Sequence, residues 1–418
     1  MKPESMNEIV RLAFKYAESE KPGAANIDLP VNVGKMEIPM EEKPLPKKTE
    51  PKEFADISTI EFAAGMLYQA KNPVILAGAG AVRARAEQAL TNFAEKLKIP
   101  VVYTMMAKGI IPFDSKYSMW TIGIPQKDYQ NKIIEEADVI LAVGYDLVEY
   151  APQKWNPDKE KTIIHIDRRP AHINKYYQTT VEVVGDISSS LDNIAYRCRR
   201  SREPEAALKI KEMMAEEYSQ YEEDCGFPVK PQKILADIRK VLEPDDILVS
   251  DVGAHKMWIA RHYHCYKPNT CIISNGFASM GIAVPGAIAA KLVHPDRRVL
   301  AVTGDGGFMM NCQEIETAFR EKIPFVTLIF HDDSYGLIKW KQMDQYGKYS
   351  CVDFTNPDFV KLAEAMHGVG YRIEKTEELL PVLKEAFTQE VPVIIDCPVD
   401  YGENEKLTEH LRELSEVL

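Results

Sequence analysis

The chain has 418 residues, 45% hydrophobic and 27% charged, a balance typical of a soluble globular protein with two or three domains. Its 63 acidic and 51 basic side chains are interspersed and give a net charge of −12, which argues against nucleic acids and anionic membrane surfaces as partners. The seven cysteines form no Cys-x-x-Cys pair, so neither a disulfide framework nor a zinc site is expected, and a cytoplasmic location fits best.

The N-terminal stretch begins with a predicted amphipathic helix over residues 5–20, where Ser5 and Glu8 suggest a capping box. A short buried strand is predicted over 24–33. Residues 34–54 are rich in Pro, Lys and Glu and lack periodicity, which indicates a linker. The stretch has no signal-peptide apolar core, and no run in the chain reaches the roughly 20 apolar residues of a membrane span.

Strand and helix patterns alternate between residues 55 and 200. Apolar runs such as PVILAGAGA and DVILAVGYD are separated by amphipathic segments such as EQALTNFAEKLK. This alternation predicts a parallel sheet with helices on both faces. A charged helical stretch and a second linker follow over 201–228.

A second alternating block occupies residues 229–418 and ends in a polar helix expected at a surface or interface. Its strand patterns are DILVSDV, CIISN, RVLAVTGD, PFVTLIFHD and PVIIDCPVD. The predicted fold class is therefore α/β, with two doubly wound parallel-sheet domains. No short repeat is visible in the sequence.

The first Gly-rich turn, GAGA at 78–81, follows a predicted strand and could cradle a dinucleotide. The third glycine of that pattern is replaced by Arg83. Asp167 lies far beyond the roughly 20 residues at which a ribose-binding carboxylate stands. A nicotinamide dehydrogenase is therefore disfavoured, and a tight strand-to-helix turn is the simpler interpretation.

The second Gly-rich turn, Gly-Asp-Gly-Gly at 304–307, follows the strand pattern RVLAVTGD, and a helix is predicted to begin near Met310. Glycines let a diphosphate approach the backbone, and a helix start offers unpaired N–H groups. Asp305 would repel the phosphates unless a cation lay between them. The pattern thus implies Mg²⁺.

The next strand pattern ends in Asp332 and Asp333, and Asp332 lies 27 residues after Asp305. This spacing fits a helix-containing crossover between adjacent parallel strands, whose carboxyl ends meet at one sheet edge. The carboxylates of Asp305 and Asp332 could then share one octahedral ion. Without the upstream Gly-Asp-Gly, two aspartates that cap the following loop would be the better interpretation.

Together these segments resemble the thiamine-diphosphate (ThDP) enzymes. Gly-Asp-Gly followed about 27 residues later by a polar pair is similar to that family's cofactor fingerprint, and SDVGAHKMWIARHY and SNGFASMGIAVPGAIAAKL resemble two further family segments. By this resemblance, residues 55–200 are the central domain and 229–418 the domain that binds diphosphate and Mg²⁺. Residues 1–33 resemble only the C-terminal end of the pyrimidine-binding domain.

The resemblance also implies roles for particular residues. Asp305, Asp332 and the backbone carbonyl of Ser334 would bind Mg²⁺. His255 would contact the diphosphate, and Met280 would support the bent conformation of the cofactor. The implied cofactor-binding set is Ala254, His255, Ala278, Met280, Gly304, Asp305, Gly306, Gly307, Asp332, Ser334, Tyr335 and Gly336.

Within the family, the segments NPVILAGAGA and PVIIDCPVDY are similar to acetolactate synthases, which decarboxylate pyruvate and condense it with a second pyruvate to 2-acetolactate. The FAD-carrying anabolic branch has an Arg-Phe-Asp-Asp-Arg run where this chain reads VGYDLVEYAPQKWN at 143–156. The resemblance therefore implies the catabolic branch without FAD. Asp332 agrees with that branch, whereas Met280 is more similar to the anabolic one.

The activating glutamate of the family lies on its pyrimidine-binding domain, and no residue of this sequence matches it. Glu4 and Glu8 are interpreted as helix-start residues. The chain could thus be an enzyme that is inactive alone, the half of a two-chain enzyme whose partner carries that domain, or a non-catalytic ThDP-binding half. Another ThDP-dependent 2-keto acid decarboxylase is a further alternative.

The family resemblance implies a homodimer or homotetramer, because its active sites form between two chains. Apolar residues within 1–33 would lack their sheet, so this segment is expected to be mobile, to dock elsewhere or to mediate association. His262 and His264 are interpreted as surface or packing residues. Trp340 is interpreted either as part of a substrate entrance or as core.

Overall fold

The computed structural model describes residues 3–38, 43–47, 52–124 and 127–417. Part of the predicted linker over 34–54 therefore lies outside the described residues. No helix in the described part combines the length and apolar character that crossing a lipid bilayer requires.

The N-terminal segment contains the predicted helix, α1 (Met6–Glu18), and a one-turn helix, α2 (Val31–Gly34). The predicted capping box is not formed, because Ser5 has φ −83° and ψ 1° rather than extended geometry, and its side chain makes no cap hydrogen bond. The predicted strand over 24–33 was wrong, since this stretch is coil that runs into α2 and pairs with no strand. Glu20 and Lys21 form ion pairs with Arg83 and Asp146 of the next domain.

The central domain is one six-stranded, fully parallel sheet in the order β3-β2-β1-β4-β5-β6, with a single apolar core cluster that includes its helices. Chain order reverses between β1 and β4, at the middle of the sheet. The elements are α3 (Ile57–Gln69), β1 (Pro73–Ala77), α4 (Ala79–Arg83), α5 (Glu87–Leu97), β2 (Val101–Tyr103), β3 (Ser118–Thr121), α6 (Tyr129–Glu135), β4 (Val139–Val143), β5 (Thr162–Asp167), β6 (Val181–Val184) and α7 (Ile187–Arg197).

The C-terminal domain is a second six-stranded parallel sheet, in the order β11-β12-β10-β9-β7-β8, with separate apolar clusters on its two faces. The linking helix is α8 (Glu205–Ser219). The elements that follow are α9 (Pro231–Val241), β7 (Ile247–Ser250), α10 (Ala254–His262), β8 (Cys271–Ile273), α11 (Ala283–Val293), β9 (Val299–Gly304), α12 (Asp305–Asn311), α13 (Glu314–Arg320), β10 (Val326–His331), α14 (Gly336–Tyr346), α15 (Phe359–Ala365), β11 (Val369–Arg372), α16 (Leu379–Ala386), β12 (Val393–Pro398) and α17 (Glu403–Val417).

The predicted fold class, two doubly wound parallel sheets, is confirmed. Buried apolar residues fill the central strands because both faces of each sheet are covered by helices. The C-terminal helix α17 is less superficial than predicted, because it buries Leu407 and Leu411 and its Thr408 accepts the indole N–H of Trp340 at 2.8 Å. Trp340 is therefore a core residue.

A buried charge cluster joins the two domains. Arg261 of α10 pairs with Asp128, the N-cap of α6, at 2.7 Å and with Glu217 of α8 at 2.8 Å. Both Arg261 and Asp128 are almost fully buried. Since breaking a buried pair leaves an uncompensated charge, this cluster fixes how the domains meet.

Candidate functional site

Strand pairing brings the two predicted acidic segments together. β9 and β10 are parallel neighbours, and Gly304 at the end of β9 is paired with Phe330 near the end of β10. Asp305 therefore begins α12 beside the loop that carries Asp332. The helix begins at Asp305 rather than near Met310, because Gly304 has extended N-cap geometry and the Asp305 carboxylate accepts the Gly306 N–H at 2.8 Å.

Asp305 organises the loop that follows β10. Its Oδ2 atom accepts the backbone N–H of Asp332 at 3.2 Å and of Asp333 at 2.7 Å, and the Asn356 amide at 2.9 Å. The residue is 1% exposed. The predicted crossover thus places both carboxyl-bearing turns at one sheet edge.

Two carboxyl groups lie close enough at this edge for their charges to interact, and Asp305 is buried while Asp332 is half-buried. Burial raises the pKa of Asp305. Burial also raises the pKa of Asp332 to about 7, with the Asp305 charge as a further cause and the hydrogen bond from Ser334 opposing it. A cation between these groups would favour their ionised forms.

A cavity of about 200 Å³ opens at this edge of the sheet. Every residue of the predicted cofactor-binding set lines it, including Ala254, Ala278, Met280 and Tyr335. The lining residues that sequence reasoning missed are Val252, Gly253, Leu337, Ile338 and Tyr401.

His255 offers an unused hydrogen-bonding atom to the cavity. It is 1% exposed, and its Nε2 has no hydrogen-bond partner among the described residues. Burial lowers the pKa of His255 to about 4, against the opposing charge of Asp251, so the ring is neutral at pH 7. A buried polar atom without a partner is costly, and a ligand atom would supply one.

The two glycines of the second turn differ in the space beside their backbone. A Cβ atom added to Gly304 would lie 3.5 Å from the His255 ring, an ordinary contact, whereas one added to Gly306 would lie 2.9 Å from Tyr335, which is too close unless that ring shifts. Both glycines line the cavity. The bare backbone and the start of α12 therefore fit a phosphate-bearing ligand.

The turn that carries Ala278 and Met280 has unusual backbone geometry. Ala278 and Gly281 have positive φ values of 54° and 84°. The carboxylate of Asp251 accepts the N–H groups of Gly281 at 2.9 Å and Ala283 at 3.0 Å. Sequence reasoning missed Asp251, although its place directly after a strand at the ligand-bearing edge was a usable signal.

The potential metal ligands form two overlapping sets around Asp305. One predicted set comprises Asp305, Asp332 and the Ser334 carbonyl. The described residues also contain a second set of three potential ligand atoms, all within 4.8 Å of one another, which belong to Asp305, His331 and Asp333. An all-oxygen set suits Mg²⁺, whereas the set that includes His331 would suit a transition metal better.

Tyr401 is a further polar residue of the cavity wall that sequence reasoning missed. Burial raises the pKa of its hydroxyl, and the charges of Asp332 and Asp305 add to this. Tyr401 thus places a hydroxyl group near the two carboxylates.

Two family profiles match the chain. Residues 251–397 match the "Thiamine pyrophosphate enzyme, C-terminal TPP binding domain", and residues 60–194 match the "Thiamine pyrophosphate enzyme, central domain". The first includes every cavity residue named above except Tyr401, and the second contains the Gly-rich turn at 78–81.

Curated proteins similar to the chain include acetolactate synthases. "Acetolactate synthase" from Bacillus subtilis (strain 168) is 34% identical over 404 residues, which cover 95% of this chain and 70% of that protein. "Probable acetolactate synthase large subunit" from Methanocaldococcus jannaschii is 34% identical over 426 residues, covering 96% and 71%. "Acetolactate synthase, catabolic" from Raoultella terrigena is 31% identical over 426 residues, covering 99% and 75%.

Proposed function

The chain belongs to the thiamine pyrophosphate enzymes, and from that premise we propose that it is a ThDP- and Mg²⁺-dependent acetolactate synthase. The proposed reaction decarboxylates pyruvate and condenses it with a second pyruvate to 2-acetolactate. The observation that carries the proposal is the single cavity at the edge of the C-terminal sheet, where the glycine turn, two aspartates and the unpartnered His255 Nε2 converge.

Different residues of the cavity would bind the metal ion and the diphosphate of the cofactor. Asp305, Asp332 and the Ser334 carbonyl would hold Mg²⁺, and the N–H groups at 306–307 would bind the diphosphate. His255 would contact the diphosphate through its Nε2 atom. When bound, ThDP supplies the electron sink for loss of carbon dioxide from a 2-keto acid.

The rest of the chain would orient the cofactor and exclude water. Met280 also lines the cavity and would support the bent cofactor, while Leu337 and Ile338 add apolar surface to it. Apolar walls raise the strength of every charge interaction inside and keep water from the reacting carbon.

We further propose a chain without FAD, as in a catabolic enzyme. The crevice at the middle of the central sheet has a volume of only about 40 Å³ and is lined by Glu20, Lys21 and Arg83. Beside it, Glu149 accepts the Ala79 N–H at the Gly-rich turn. Chain carboxylates thus stand where the phosphates of a dinucleotide would lie.

A homodimer fits the distribution of exposed apolar residues. Several large apolar side chains on and beside β8, α11 and α12 are exposed, and Phe277 is 95% exposed. Exposed apolar surface is a common feature of interaction sites. The exposed residues are Ile272, Phe277, Leu292, Val293, Met309 and Met310.

Full turnover is proposed to need a carboxylate from another polypeptide segment. Among the described residues, those lining the cavity include Asp305 and Asp332 but no glutamate. A partner chain that carries the pyrimidine-binding domain would supply the group that hydrogen-bonds the aminopyrimidine ring. The chain alone is then expected to bind the cofactor without making acetolactate.

Calorimetric titration of the purified chain with ThDP, with and without Mg²⁺, tests the proposal. Mg²⁺-dependent binding is expected, and Asp305→Ala should weaken it by at least about 100-fold, since a metal ligand and the loop hydrogen bonds are lost together. Asp186→Ala is the matched control, because Asp186 caps α7 in the central domain far from the cavity.

A product assay with pyruvate separates the alternatives. Acetolactate formed only after addition of a pyrimidine-binding domain would support a two-chain enzyme, and acetaldehyde in its place would indicate a 2-keto acid decarboxylase. Absence of any Mg²⁺-dependent ThDP binding by the unmodified chain would overturn the proposed function.

A further inference from the structure

Asp251 lies directly after β7 and reaches two turns of the cavity without lining it. Its backbone N–H continues the β7–β9 ladder by donating to Val302 at 2.8 Å, which fixes its Cα position. The side chain is 1% exposed. Its carboxylate therefore points into the protein with little freedom to move.

The first turn that Asp251 contacts is the one that carries Met280. Oδ1 accepts the Gly281 N–H at 2.9 Å and Oδ2 accepts the Ala283 N–H at 3.0 Å. The carbonyl of Gly281 in turn accepts the Asn311 amide at 2.8 Å. The residue after Met280 is thus held from both sides, in a left-handed conformation that glycine tolerates.

The second turn is the glycine turn at the start of α12. A Cβ atom added to Gly307 would lie 3.1 Å from Oδ1 of Asp251, so the backbone of this turn packs against the same carboxylate. Asn311, which holds the Gly281 carbonyl, is the last residue of α12. Asp251 and Asn311 therefore join these two turns of the cavity wall.

We propose that Asp251 is a positioning residue that sets the Met280 turn relative to the diphosphate-binding turn. This inference rests on the proposed function, because the spacing of the turns matters for a ligand with a diphosphate at one end and rings at the other. Carboxylate oxygens accept hydrogen bonds, which suits the N–H groups of Gly281 and Ala283 together with that of Val252, which donates to Oδ1 at 2.6 Å. An asparagine would turn an NH₂ group towards one of them.

The same strand supplies a matched control at its opposite end. Asp246 directly precedes β7 and is also buried. Its Oδ1 accepts the Arg298 N–H at 2.9 Å, and its Oδ2 accepts the Glu243 N–H at 2.8 Å. Asp246→Asn therefore makes the same chemical change, with a comparable effect on folding, far from the cavity.

The experiment compares Asp251→Asn with Asp246→Asn using two probes, ThDP with Mg²⁺ and inorganic pyrophosphate with Mg²⁺. Pyrophosphate with Mg²⁺ would use the glycine turn, His255 and the proposed metal ligands, whereas ThDP would also need the Met280 turn. Asp251→Asn should weaken ThDP about tenfold, since one buried N–H loses its acceptor, and pyrophosphate by less than about threefold. Asp246→Asn should leave both affinities unchanged.

A second variant covers the case in which Asp251→Asn fails to fold. Asn311→Ala removes the other hydrogen bond to Gly281 and should weaken ThDP selectively by about threefold. Equal weakening of ThDP and pyrophosphate, or wild-type ThDP affinity in both variants, would overturn the inference alone. Failure of the unmodified chain to bind ThDP would overturn the proposed function together with it.

Discussion

The carboxyl edges of the two parallel sheets differ in what occupies them. At the central sheet, Glu149 accepts the Ala79 N–H at 3.0 Å, the Asp146 N–H and the Thr104 hydroxyl, and the crevice beside it measures about 40 Å³. At the C-terminal sheet the cavity measures about 200 Å³, and His255 Nε2 lacks a partner among the described residues. Two six-stranded parallel sheets thus differ at their carboxyl edges, because a chain carboxylate occupies the Gly-rich turn of the central sheet whereas the cavity of the C-terminal sheet contains a buried polar atom that a ligand could satisfy.

The largest expected effect comes from replacing one glycine in the Gly-rich turn at 78–81, and the counterpart is a glycine in the turn at 304–307. A Cβ atom at Gly78 would lie 2.5 Å from the Gly144 carbonyl oxygen, and backbone atoms cannot yield. We expect Gly78→Ala to lower the free energy of unfolding by about 3 kcal/mol, or to prevent folding. Urea denaturation followed by circular dichroism measures this loss.

Gly304→Ala is the counterpart at the second turn. Its Cβ atom would lie 3.5 Å from the His255 ring, an ordinary contact, so the variant should be as stable as the unmodified chain. The methyl group would occupy space beside the proposed diphosphate, and ThDP affinity should fall about tenfold in calorimetry. Wild-type ThDP affinity in this variant would show that the glycine turn does not approach the ligand.

Lowering the pH should weaken the contact that His264 makes between the two domains. His264 stacks on Phe113 of the central domain with ring centroids 3.7 Å apart. Burial lowers the pKa of His264 to about 4, and the charges of Lys108 and Arg239 add to this. The pKa of His264 is lower in the folded state than in the unfolded state. Its contribution to the stability of the folded state is therefore complete above about pH 6.5 and is lost as the pH falls towards 4.

The expected loss of unfolding free energy between pH 7 and pH 4 is on the order of 2 kcal/mol from this residue. His264→Phe should keep the stacking and remove that part of the pH dependence. His172→Gln, at an exposed position, is the control and should leave the profile unchanged. Equal pH profiles for His264→Phe and the unmodified chain would contradict the assignment.

The sequence predicted the parts of the molecule that local pattern determines. Alternating strand and helix patterns gave both sheets, and the spacing from Asp305 to Asp332 gave the adjacency of β9 and β10 that the pairing of Gly304 with Phe330 confirms. The family resemblance then named the residues that line one cavity. The short strands β3, β6 and β11 were missed because runs such as SMWT and VGYR are too short for periodicity to show.

Features that depend on distant contacts were not predictable in the same way. The stretch over 24–33 reads as an apolar strand, yet it has no neighbouring strand to pair with, and Pro30 lacks a backbone N–H. Tyr401 lies almost 100 residues after Asp305 and reaches the cavity only through the return of β12 to the sheet. The start of α12 was misplaced because consecutive glycines disfavour a helix in isolation, whereas hydrogen bonds to Asp305 stabilise it here.

The smallest expected effect concerns the N-terminal segment over the central crevice. Glu20 pairs with Arg83 through two guanidinium nitrogens, at 2.5 Å and 3.2 Å, and both side chains are partly buried. A double-mutant cycle with Glu20→Ala and Arg83→Ala should give a coupling energy of about 0.5–1 kcal/mol in urea denaturation, near the upper end for exposed pairs.

The pair formed by Glu18 and Lys47 is the matched control for this cycle. Its single contact measures 2.7 Å, but the side chains are 45% and 66% exposed, so solvent screens it and the coupling energy should be close to zero. Equal coupling in the two cycles would mean that the segment around Glu20 is not held against the crevice in solution. Glu149 would then be the remaining group that distinguishes the crevice of the central sheet from the cavity of the C-terminal sheet. Its carboxylate accepts the Ala79 N–H and does not depend on the N-terminal segment.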